Sequence, residues 1–333
     1  MTTVIEKLKA AGCVVCQNCP ARSLSNFKAG GRVAVAVYPK SAAACVSAAH
    51  ILRQSGEKFA ITGMGTNLLI PDEGYNGFVI CTRQMTGILQ IDTDGEHGHG
   101  ADGVLLYAYA GERLLNLAQY AAEHGLTGLE AIAGIPGSVG GAVRMNAGSY
   151  GSETAHVVRY ADVIENVATG ANGVAGAPGK ANKTGAAGAQ NTAAAPRRLN
   201  KQELQFSYRS SYVAKNGGVI TGACFELLRG DKAELFEKMR QFAKLRLERQ
   251  PKEPSLGSVF KRPDDVPVAP LIEQCGLKGA QHGGAKISQK HCGFIINTGT
   301  ATAQDYLALV DKIQQAVYNK FNVKLQPEFE LLK

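Results

Sequence analysis

The order of hydrophobic and polar positions in the first 125 residues predicts strands and helices that follow one another. Five short apolar runs are typical of strands: 34–38, 59–62, 77–81, 88–91 and 104–110. Ser41 is placed to cap a helix that runs to about Gln54. A second helix runs from about Glu112 to His124 and stops at Gly125. This order indicates a fold of mixed helix and strand.

Two amphipathic helical patterns dominate the last third of the chain. The first runs from about Lys232 to Arg249, and its basic cluster could touch nucleic acid, but four interleaved acidic residues favour a solvated face. The second runs from about Ala303 to Phe321 and places five side chains inward: Tyr306, Leu309, Val310, Ile313 and Val317. A strand is predicted at 218–221, and the chain is predicted to end in a strand from Val323 to Leu332.

Residues 170–196 break this pattern. Of these 27 residues, 10 are Ala and 6 are Gly, and none is acidic or aromatic. Such a segment has little apolar surface to offset the entropy of ordering it, so it is predicted to be a flexible insertion or linker. Its 6 glycines leave 33 of the chain's 39 in the other 306 residues. The glycine excess therefore belongs to the folded part of the chain.

Composition narrows the classes of function. Lys+Arg 36 against Asp+Glu 28 gives a net charge of +8, which suits anionic partners. No apolar run reaches the roughly 18 residues that a membrane span needs, and the first residues lack a signal-type apolar core, so we expect no membrane insertion and a cytoplasmic location. The basic residues form no stripe interleaved with aromatic residues, which leaves a nucleic-acid-binding protein as a distant alternative.

The cysteine and histidine spacings suggest a metal site only weakly. Eight cysteines in 333 residues are too few for a disulfide scaffold, and we expect reduced thiols. Cys13, Cys16 and Cys19 supply three of the four ligands of a ferredoxin-type cluster, without a fourth at the required spacing. His97 and His99 lie in a polar loop that is more often solvated than metal-binding. We predict no metal.

Glycine gathers in two loops. The first, Gly63 to Leu68, follows a predicted strand, but its third glycine position holds Leu68 and no helix follows, so a dinucleotide fingerprint is weak. A phosphate-binding turn and a plain tight turn both remain open there. The second, 128–151, has seven glycines in 24 residues, with Pro136 stiffening the turn. Its density favours backbone N–H groups that approach a pyrophosphate.

Six motifs in order resemble the UDP-N-acetylenolpyruvoylglucosamine reductase (MurB) family and cover nearly the whole chain outside the insertion. They are GMGTNLLIPDEGYNGFVI, GLEAIAGIPGSVGGAVRMNAGSYG, LQFSYRSS, EPSLGSVFKRP, KGAQHGGAKISQKHCGFIIN and KLQPEFELL. The segment 206–219 is too short for the long tyrosine-bearing loop of one subgroup, which favours the subgroup without it.

The resemblance implies an α+β fold, with a two-subdomain FAD-binding domain of the PCMH/VAO type and an α/β substrate-binding C-terminal domain. The implied boundaries are 1–73, 74–217 and 218–322, with the tail 323–333 returning to the first subdomain or to the active site. It also implies that NADPH reduces FAD, which passes hydride to the β-carbon of the enolpyruvyl ether of UDP-N-acetylglucosamine and gives UDP-N-acetylmuramate for peptidoglycan synthesis. The oligomeric state stays open, and a monomer is compatible.

Three catalytic residues follow from the resemblance. Ser258 matches the general acid, Arg209 the cation that stabilises the developing enolate, and Glu328 the glutamate that polarises or helps protonate the intermediate. Taken singly, each has an ordinary alternative as a turn serine, a surface cation or an edge-strand charge. Three further residues are predicted to support substrate binding: Tyr208, Lys261 and Arg262.

The resemblance also assigns the FAD contacts to the two glycine loops. They are Gly63, Gly65, Thr66, Asn67, Leu68, Gly134, Ile135, Pro136, Gly137, Ser138, Gly140, Gly141 and Asn146. Two departures from the family pattern put individual contacts in question: Asn26 replaces a threonine, and Arg144 stands where an apolar residue is common. Another FAD-dependent oxidoreductase of the same fold remains an alternative.

Overall fold

The computed structural model describes residues 2–91, 103–165, 195–263 and 266–333. The predicted insertion, apart from its last two residues, and the loop with His97 and His99 lie outside the described residues. By its contacts the chain divides into two compact units. The first unit comprises 1–16, 35–63 and 77–236, and the second comprises 17–34, 64–76 and 237–333. The three-part division proposed from the sequence stays a prediction.

The described residues form the following helices: α1 (Thr2–Ala10), α2 (Ala42–Gln54), α3 (Leu114–Glu123), α4 (Val139–Met145), α5 (Tyr212–Asn216), α6 (Lys232–Arg249), α7 (Val268–Gln274) and α8 (Ala303–Phe321). The strands of the first half are β1 (Cys13–Pro20), β2 (Arg32–Pro39), β3 (Phe59–Thr62), β4 (Leu68–Leu69), β5 (Tyr75–Cys81), β6 (Ile88–Ile91), β7 (Gly103–Tyr109), β8 (Leu126–Thr127), β9 (Gly148–Ser149), β10 (Ser152–Glu153) and β11 (Val158–Ile164). Those of the second half are β12 (Arg197–Asn200), β13 (Val219–Arg229), β14 (Ser255–Ser258), β15 (Gln281–His282), β16 (Ala285–Ile287), β17 (Phe294–Asn297) and β18 (Glu330–Leu331).

Most predicted elements are confirmed. Strands β3 and β6 and helices α6 and α8 have the predicted bounds. Ser41 caps α2, because its Oγ accepts a hydrogen bond from the Ala44 N–H at 3.1 Å. All five side chains that the helical period of α8 turns inward are buried. The mixed helix and strand composition agrees with the predicted α+β class.

The predicted strand from Val323 to Leu332 is wrong over most of its length. Only β18, at its end, is a strand, and it pairs in parallel with β4. Before it, Pro327 forms a single antiparallel bridge with Phe260. The tail thus pairs with two different partners in succession, and Pro327 has no N–H to continue a ladder.

The first unit is built around an antiparallel sheet of order β12-β11-β13-β7-β6, with β8 on the end of β13. Helix α4 packs against β13 and β7. A second sheet has the order β1-β2-β5-β3 and includes the parallel pair β3 and β5, with Phe59 opposite Phe78. The second glycine loop lies in this unit, and helix α4, which it contains, packs on the first of these sheets.

The second unit has an antiparallel sheet of order β14-β17-β16-β15 together with α7 and α8. Tyr306 of α8 is fully buried, with its ring 4.8 Å from that of Phe27 and 5.0 Å from that of Phe329. Asp72 accepts hydrogen bonds from the Ala303 and Gln304 N–H groups at 2.8 Å, which satisfies the first turn of α8. Within the described residues, no helix is long and apolar enough to cross a membrane.

Strand β1 spreads the three N-terminal cysteines along an extended backbone. Cys13 and Cys19 are buried, whereas Cys16 is half-buried. Burial raises the pKa of the Cys13 thiol to about 11. All eight cysteines belong to the described residues and none forms a disulfide. No group of three or more His, Cys, Asp or Glu side chains that could hold a metal ion occurs in the described ranges.

Candidate active site

The first glycine loop is shaped by close backbone contact at Gly65, in the second unit. Gly65 has φ +67°, and a Cβ there would lie 1.7 Å from the Leu24 carbonyl oxygen. The Gly65 carbonyl accepts a hydrogen bond from the Asn26 N–H at 2.8 Å, which holds the loop against that segment. Glycine alone fits this position, because any side chain would meet backbone atoms that cannot move aside.

The same loop presents a row of backbone donors. The N–H groups of residues 64–67 donate to no acceptor among the described residues. Consecutive N–H groups of this kind form a site for the oxygens of an anion. The phosphate-binding interpretation of this turn therefore has the donors it needs.

Gly63, which precedes the rest of the first glycine loop, lies close to Ser138 within the first unit. A Cβ on Gly63 would lie 2.3 Å from the Ser138 Oγ. Ser138 is almost fully buried and caps α4, where its Oγ accepts a hydrogen bond from the Gly141 N–H at 3.3 Å. The absence of a side chain at Gly63 thus allows the cap of α4 to approach.

The second glycine loop divides into packing residues and donors. The Val139 and Gly140 N–H groups are already used by the carbonyls of Glu112 and Ala110, at 2.8 and 2.9 Å. A Cβ on Gly140 would lie 2.8 Å from the Ala110 Cβ, so this glycine serves close packing. In contrast, the N–H groups at positions 134, 137 and 138 donate to no acceptor among the described residues. The anion-binding capacity of this loop therefore lies before α4.

Arg209 sits in a strained two-residue turn of the first unit. Ser207 and Ser210 exchange backbone hydrogen bonds at 3.0 Å, and Arg209 between them has φ +52°. Such a conformation costs a non-glycine residue about 1–3 kcal/mol. The Arg209 Nη2 donates to the Gly148 carbonyl at 3.1 Å, and its guanidinium carbon lies 5.2 Å from the centre of the exposed Tyr208 ring. The two predicted residues Tyr208 and Arg209 are thus the central residues of one tight turn.

Asn146 joins the second glycine loop to that turn. It is fully buried and ends α4 in the left-handed conformation, with φ +43°. Its Nδ2 donates to the Ser207 carbonyl at 3.1 Å, and its Oδ1 accepts from the Ala155 N–H at 2.9 Å. These contacts explain why an amide is needed here. The predicted contact of Asn146 with FAD stays a prediction.

Ser258 and Glu328 lie on paired segments of the second unit. Ser258 is exposed at the end of β14, and the Glu328 N–H donates to the carbonyl of the next residue, Val259, at 2.8 Å. The Lys261 N–H then donates to the Gln326 carbonyl at 2.9 Å. The pairing places Glu328 opposite Val259, the residue that follows the predicted proton donor, although Ser258 and Glu328 are 70 positions apart in the sequence. Arg262 follows as an exposed residue.

Two asparagines support this pair in ways that sequence reasoning missed. The Asn26 Nδ2 donates to the Ser255 carbonyl at 2.9 Å and so fastens the strand that carries Ser258. The Asn67 Nδ2 donates to the Glu328 carbonyl at 3.1 Å. The sequence signal for Asn26 was its departure from the family pattern, which indicated an altered contact without showing its partner.

A buried tyrosine lies beneath the tail. The Tyr306 hydroxyl finds no hydrogen-bond partner among the described residues. Burial raises the pKa of Tyr306, and the charge of Glu328 raises it further. The phenol is therefore neutral at any physiological pH, in the electrostatic neighbourhood of Glu328.

Comparison with known proteins decides the family. The model of the UDP-N-acetylenolpyruvoylglucosamine reductase C-terminal domain matches residues 250–332, and that of an FAD binding domain matches 33–171. A UDP-N-acetylenolpyruvoylglucosamine reductase of Latilactobacillus sakei is 37% identical over 316 residues, covering 95% of this chain and 92% of that protein. The chain belongs to the UDP-N-acetylenolpyruvoylglucosamine reductase family. The family's enzyme from Caldicellulosiruptor bescii is 35% identical over 328 residues, covering 98% of this chain and 93% of its own.

A solved reductase structure agrees with this assignment. The crystal structure of the Thermus caldophilus enzyme (MurB) matches with a TM-score of 0.71 and 28% identity, covering 96% of this chain and 99% of that one. The resemblance stated from the six motifs is thereby confirmed, and so is an α+β fold with an FAD-binding domain.

FAD, the cofactor of the reductase family, suits both glycine loops. Each loop lies inside the region 33–171 that matches the FAD binding domain. FAD carries an anionic pyrophosphate, and each loop offers backbone N–H groups that donate to no acceptor among the described residues. The residues present therefore fit the cofactor, through backbone groups more than through charged side chains.

Proposed function

We propose that this chain reduces the enolpyruvyl ether of UDP-N-acetylglucosamine to the lactyl ether of UDP-N-acetylmuramate, with NADPH as the hydride donor, in peptidoglycan precursor synthesis in the cytoplasm. One observation carries the catalytic part of the proposal. Ser258 and Glu328 lie on paired segments inside the region that matches the reductase C-terminal domain. This pairing puts a hydroxyl and a carboxyl group, two groups that can take part in proton transfer, on adjacent segments.

The glycine loops bind and orient the cofactor in this proposal. Residues 64–67, Gly134, Gly137 and Ser138 are the proposed backbone donors to the phosphate oxygens, because their N–H groups donate to no acceptor in the described chain. When bound, FAD supplies hydride transfer from NADPH to the substrate. In this proposal, several weak backbone hydrogen bonds bind the pyrophosphate in place of one lysine or arginine side chain.

Ser258 is the proposed proton donor to the α-carbon of the enolpyruvyl group. Hydride addition at the β-carbon leaves negative charge at the α-carbon and on the carboxylate, and this charge must be stabilised and then protonated. A serine hydroxyl is a weak acid, so it needs a neighbour that assists it. Glu328 is that neighbour in our proposal, because its segment pairs with the one that follows Ser258.

Arg209 is the proposed cation for the developing enolate and the substrate carboxylate. A guanidinium stays charged at any physiological pH and binds carboxylate groups through two parallel hydrogen bonds. The strained turn and the bond to the Gly148 carbonyl limit its freedom before substrate arrives, which reduces the entropy lost on binding. Three residues are proposed to hold the diphosphate or carboxylate groups of the substrate: Tyr208, Lys261 and Arg262.

The proposal keeps the three-part division of the chain, with FAD-binding parts at 1–73 and 74–217 and a substrate-binding part at 218–322. The C-terminal tail returns to the active site in this scheme. Its pairing with Val259 and with β4 supports that role.

Replacing Ser258 with alanine separates the two half-reactions. Ser258→Ala is expected to leave flavin reduction by NADPH within a few-fold of normal, because no proton is delivered to carbon in that step. Reduction of the enolpyruvyl substrate is expected to fall by about 10²-fold or more, the usual contribution of a general acid. The measurement is anaerobic stopped-flow absorbance of each half-reaction.

The matched control is Ser255→Ala, three positions earlier on the same strand. Its hydroxyl has no part in the proposed chemistry, so both half-reactions should stay normal. Equal losses in the two half-reactions of Ser258→Ala would contradict the proton-donor role. A wild-type protein that NADPH reduces but the enolpyruvyl sugar nucleotide does not reoxidise would instead indicate another FAD-dependent oxidoreductase.

A further inference from the structure

Both backbone groups of Glu328 form hydrogen bonds, one with a backbone carbonyl and the other with a side-chain amide. Its N–H donates to the Val259 carbonyl at 2.8 Å. Its carbonyl accepts a hydrogen bond from the Asn67 Nδ2 at 3.1 Å. Two residues later, the Glu330 N–H donates to the Asn67 carbonyl at 2.8 Å. Asn67 thus contacts the tail twice, once through its side chain and once through its backbone.

The side-chain contact is required by the irregular course of the tail. Glu328 lies between the bridge at Pro327 and the start of β18, so no regular ladder supplies a donor to its carbonyl. Glu328 is a half-buried residue, and the Asn67 amide provides a donor to its carbonyl. With both peptide groups beside its Cα fixed, the direction in which the Glu328 side chain leaves the backbone is fixed as well.

The position of Asn67 in the chain gives this contact a functional meaning. Asn67 is the last of the four residues whose N–H groups face no acceptor in the described chain. Its side chain is directed to the tail while its own N–H remains available to a phosphate. One residue therefore connects the anion-binding loop with the glutamate.

We propose that Asn67 is a positioning residue for Glu328: it fixes the backbone from which the carboxylate projects, and it links that carboxylate to the cofactor loop. This inference rests on the proposed function, which gives Glu328 its part in proton delivery. It adds a role for the Asn67 side chain that differs from the cofactor contact predicted from the sequence. The role belongs to the step that protonates the substrate.

The competing explanation is that the Asn67 side-chain bond only stabilises the position of the tail. The chain offers a control for this explanation. The Gln314 Nε2 donates to the Leu325 carbonyl at 2.9 Å, three residues before Glu328. This bond has the same chemistry and holds the same tail, but it does not touch the peptide groups of Glu328. Gln314→Ala and Asn67→Ala therefore remove equivalent bonds at different distances from the carboxylate.

The test compares both variants in the two half-reactions with the FAD-loaded enzyme. Asn67→Ala is expected to keep flavin reduction by NADPH within about threefold of wild type. Its reduction of the enolpyruvyl substrate should fall by about 10- to 100-fold, the size of loss that a misplaced catalytic group produces. The pH profile of this second step should also be displaced, because the environment of the Glu328 carboxylate changes. Gln314→Ala should lower the melting temperature and leave both rates and the pH profile normal.

Asn67→Asp provides a second variant of the same size, should the alanine variant fail to fold. It replaces the donating Nδ2 with an oxygen that faces the Glu328 carbonyl, so we expect the same selective loss. Two results would overturn the proposal. One is a loss shared equally by the Asn67 and Gln314 variants, which would mean fastening alone. The other is weaker FAD retention with normal rates at saturating FAD, which would mean a cofactor contact alone.

Failure of the proposed function has a different signature. It appears in the wild-type protein, as reduced flavin that the enolpyruvyl sugar nucleotide does not reoxidise. The Asn67 variants are compared with wild type only after the wild-type protein has been seen to reduce the enolpyruvyl substrate. The two failures are therefore distinguishable.

Discussion

The two glycine loops and the paired segments at Ser258 and Glu328 solve different problems with different parts of the chain. In the loops, the groups proposed to bind the ligand are backbone N–H groups, and at Gly65 neighbouring backbone atoms leave no room for a side chain. In the paired segments, side chains carry the proposed chemistry, and backbone hydrogen bonds hold the two segments in register. In this proposal, nucleotide binding has a local sequence signal, the excess of glycine, whereas proton delivery depends on a few ordinary residues far apart in the sequence.

The largest expected effect tests the backbone side of this comparison. Gly65→Ala places a Cβ 1.7 Å from the Leu24 carbonyl oxygen at a residue with φ +67°, so it adds a collision to the strain of a left-handed alanine. We expect a loss of several kcal/mol in the free energy of unfolding, roughly 3 or more, together with loss of bound FAD. Chemical denaturation and the flavin absorbance of the purified protein measure the two effects.

Gly151→Ala is the matched control for that variant. Gly151 has a similar φ of +79°, but a Cβ there would meet no atom within 4 Å. It should cost only the conformational term, about 1 kcal/mol, and FAD should be retained. If the two variants behave alike, close contact does not explain the glycine at position 65.

A smaller effect, the pH dependence of stability at His291, tests the structure around the paired segments at Ser258 and Glu328. His291 lies in the turn before β17, and its Nδ1 accepts a hydrogen bond from the Gly293 N–H at 3.1 Å. Burial lowers the pKa of His291 below its ordinary value of 6.5. The unfolded chain therefore binds a proton more readily, so His291 stabilises the fold above pH 6.5 and this stability is lost as the pH falls through the lower, folded pKa.

The measurement for His291 is the melting temperature between pH 8 and pH 5. We expect His291→Asn, which keeps an acceptor near Gly293 but does not titrate in this range, to flatten the decline on the acid side. An unchanged decline in the variant would assign the acid sensitivity to other groups.

The smallest expected effect concerns the buried tyrosine beneath the tail. The Tyr306 hydroxyl is buried without a partner in the described chain, and leaving such a group unpaired costs about 1–3 kcal/mol. Tyr306→Phe should therefore leave stability unchanged or raise it by up to about 1 kcal/mol. Tyr75→Phe removes a second buried hydroxyl of the same kind and serves as the control.

The rate of enolpyruvyl reduction should differ between the Tyr306→Phe and Tyr75→Phe variants if this step depends on the surroundings of Glu328. Both variants should match in stability, while only Tyr306→Phe alters the electrostatic neighbourhood of Glu328. A clear destabilisation of Tyr306→Phe would show that its hydroxyl has a partner that stabilises the fold.

Elements with a strong period could be predicted from the sequence, and contacts between distant segments could not. The apolar period of α8 gave its bounds and its buried face, since 19 residues of regular spacing leave little ambiguity. The C-terminal tail was predicted as one strand because its composition is strand-like. Its two successive partners are Phe260 and β4, and no local pattern reveals either of them.

The same distinction applies to the site. Glycine density indicated the two loops, but the residues of the catalytic proposal came from the family resemblance of six motifs. The hydrogen bond from Asn67 to Glu328 spans 261 positions. The side-chain amide of Asn146 joins the end of α4 to the turn at Ser207. Asparagine is common in turns for local reasons, so neither role could be separated from that background before the fold was known.

The most direct test of the central claim is the flavin absorbance of the purified protein during two anaerobic additions. The account predicts that NADPH bleaches the flavin and that the enolpyruvyl ether of UDP-N-acetylglucosamine then restores the absorbance, with one UDP-N-acetylmuramate formed per flavin reoxidised. In Ser258→Ala the first change should persist and the second should become slow. A flavin that NADPH reduces but this substrate never reoxidises in the wild-type protein would contradict the account.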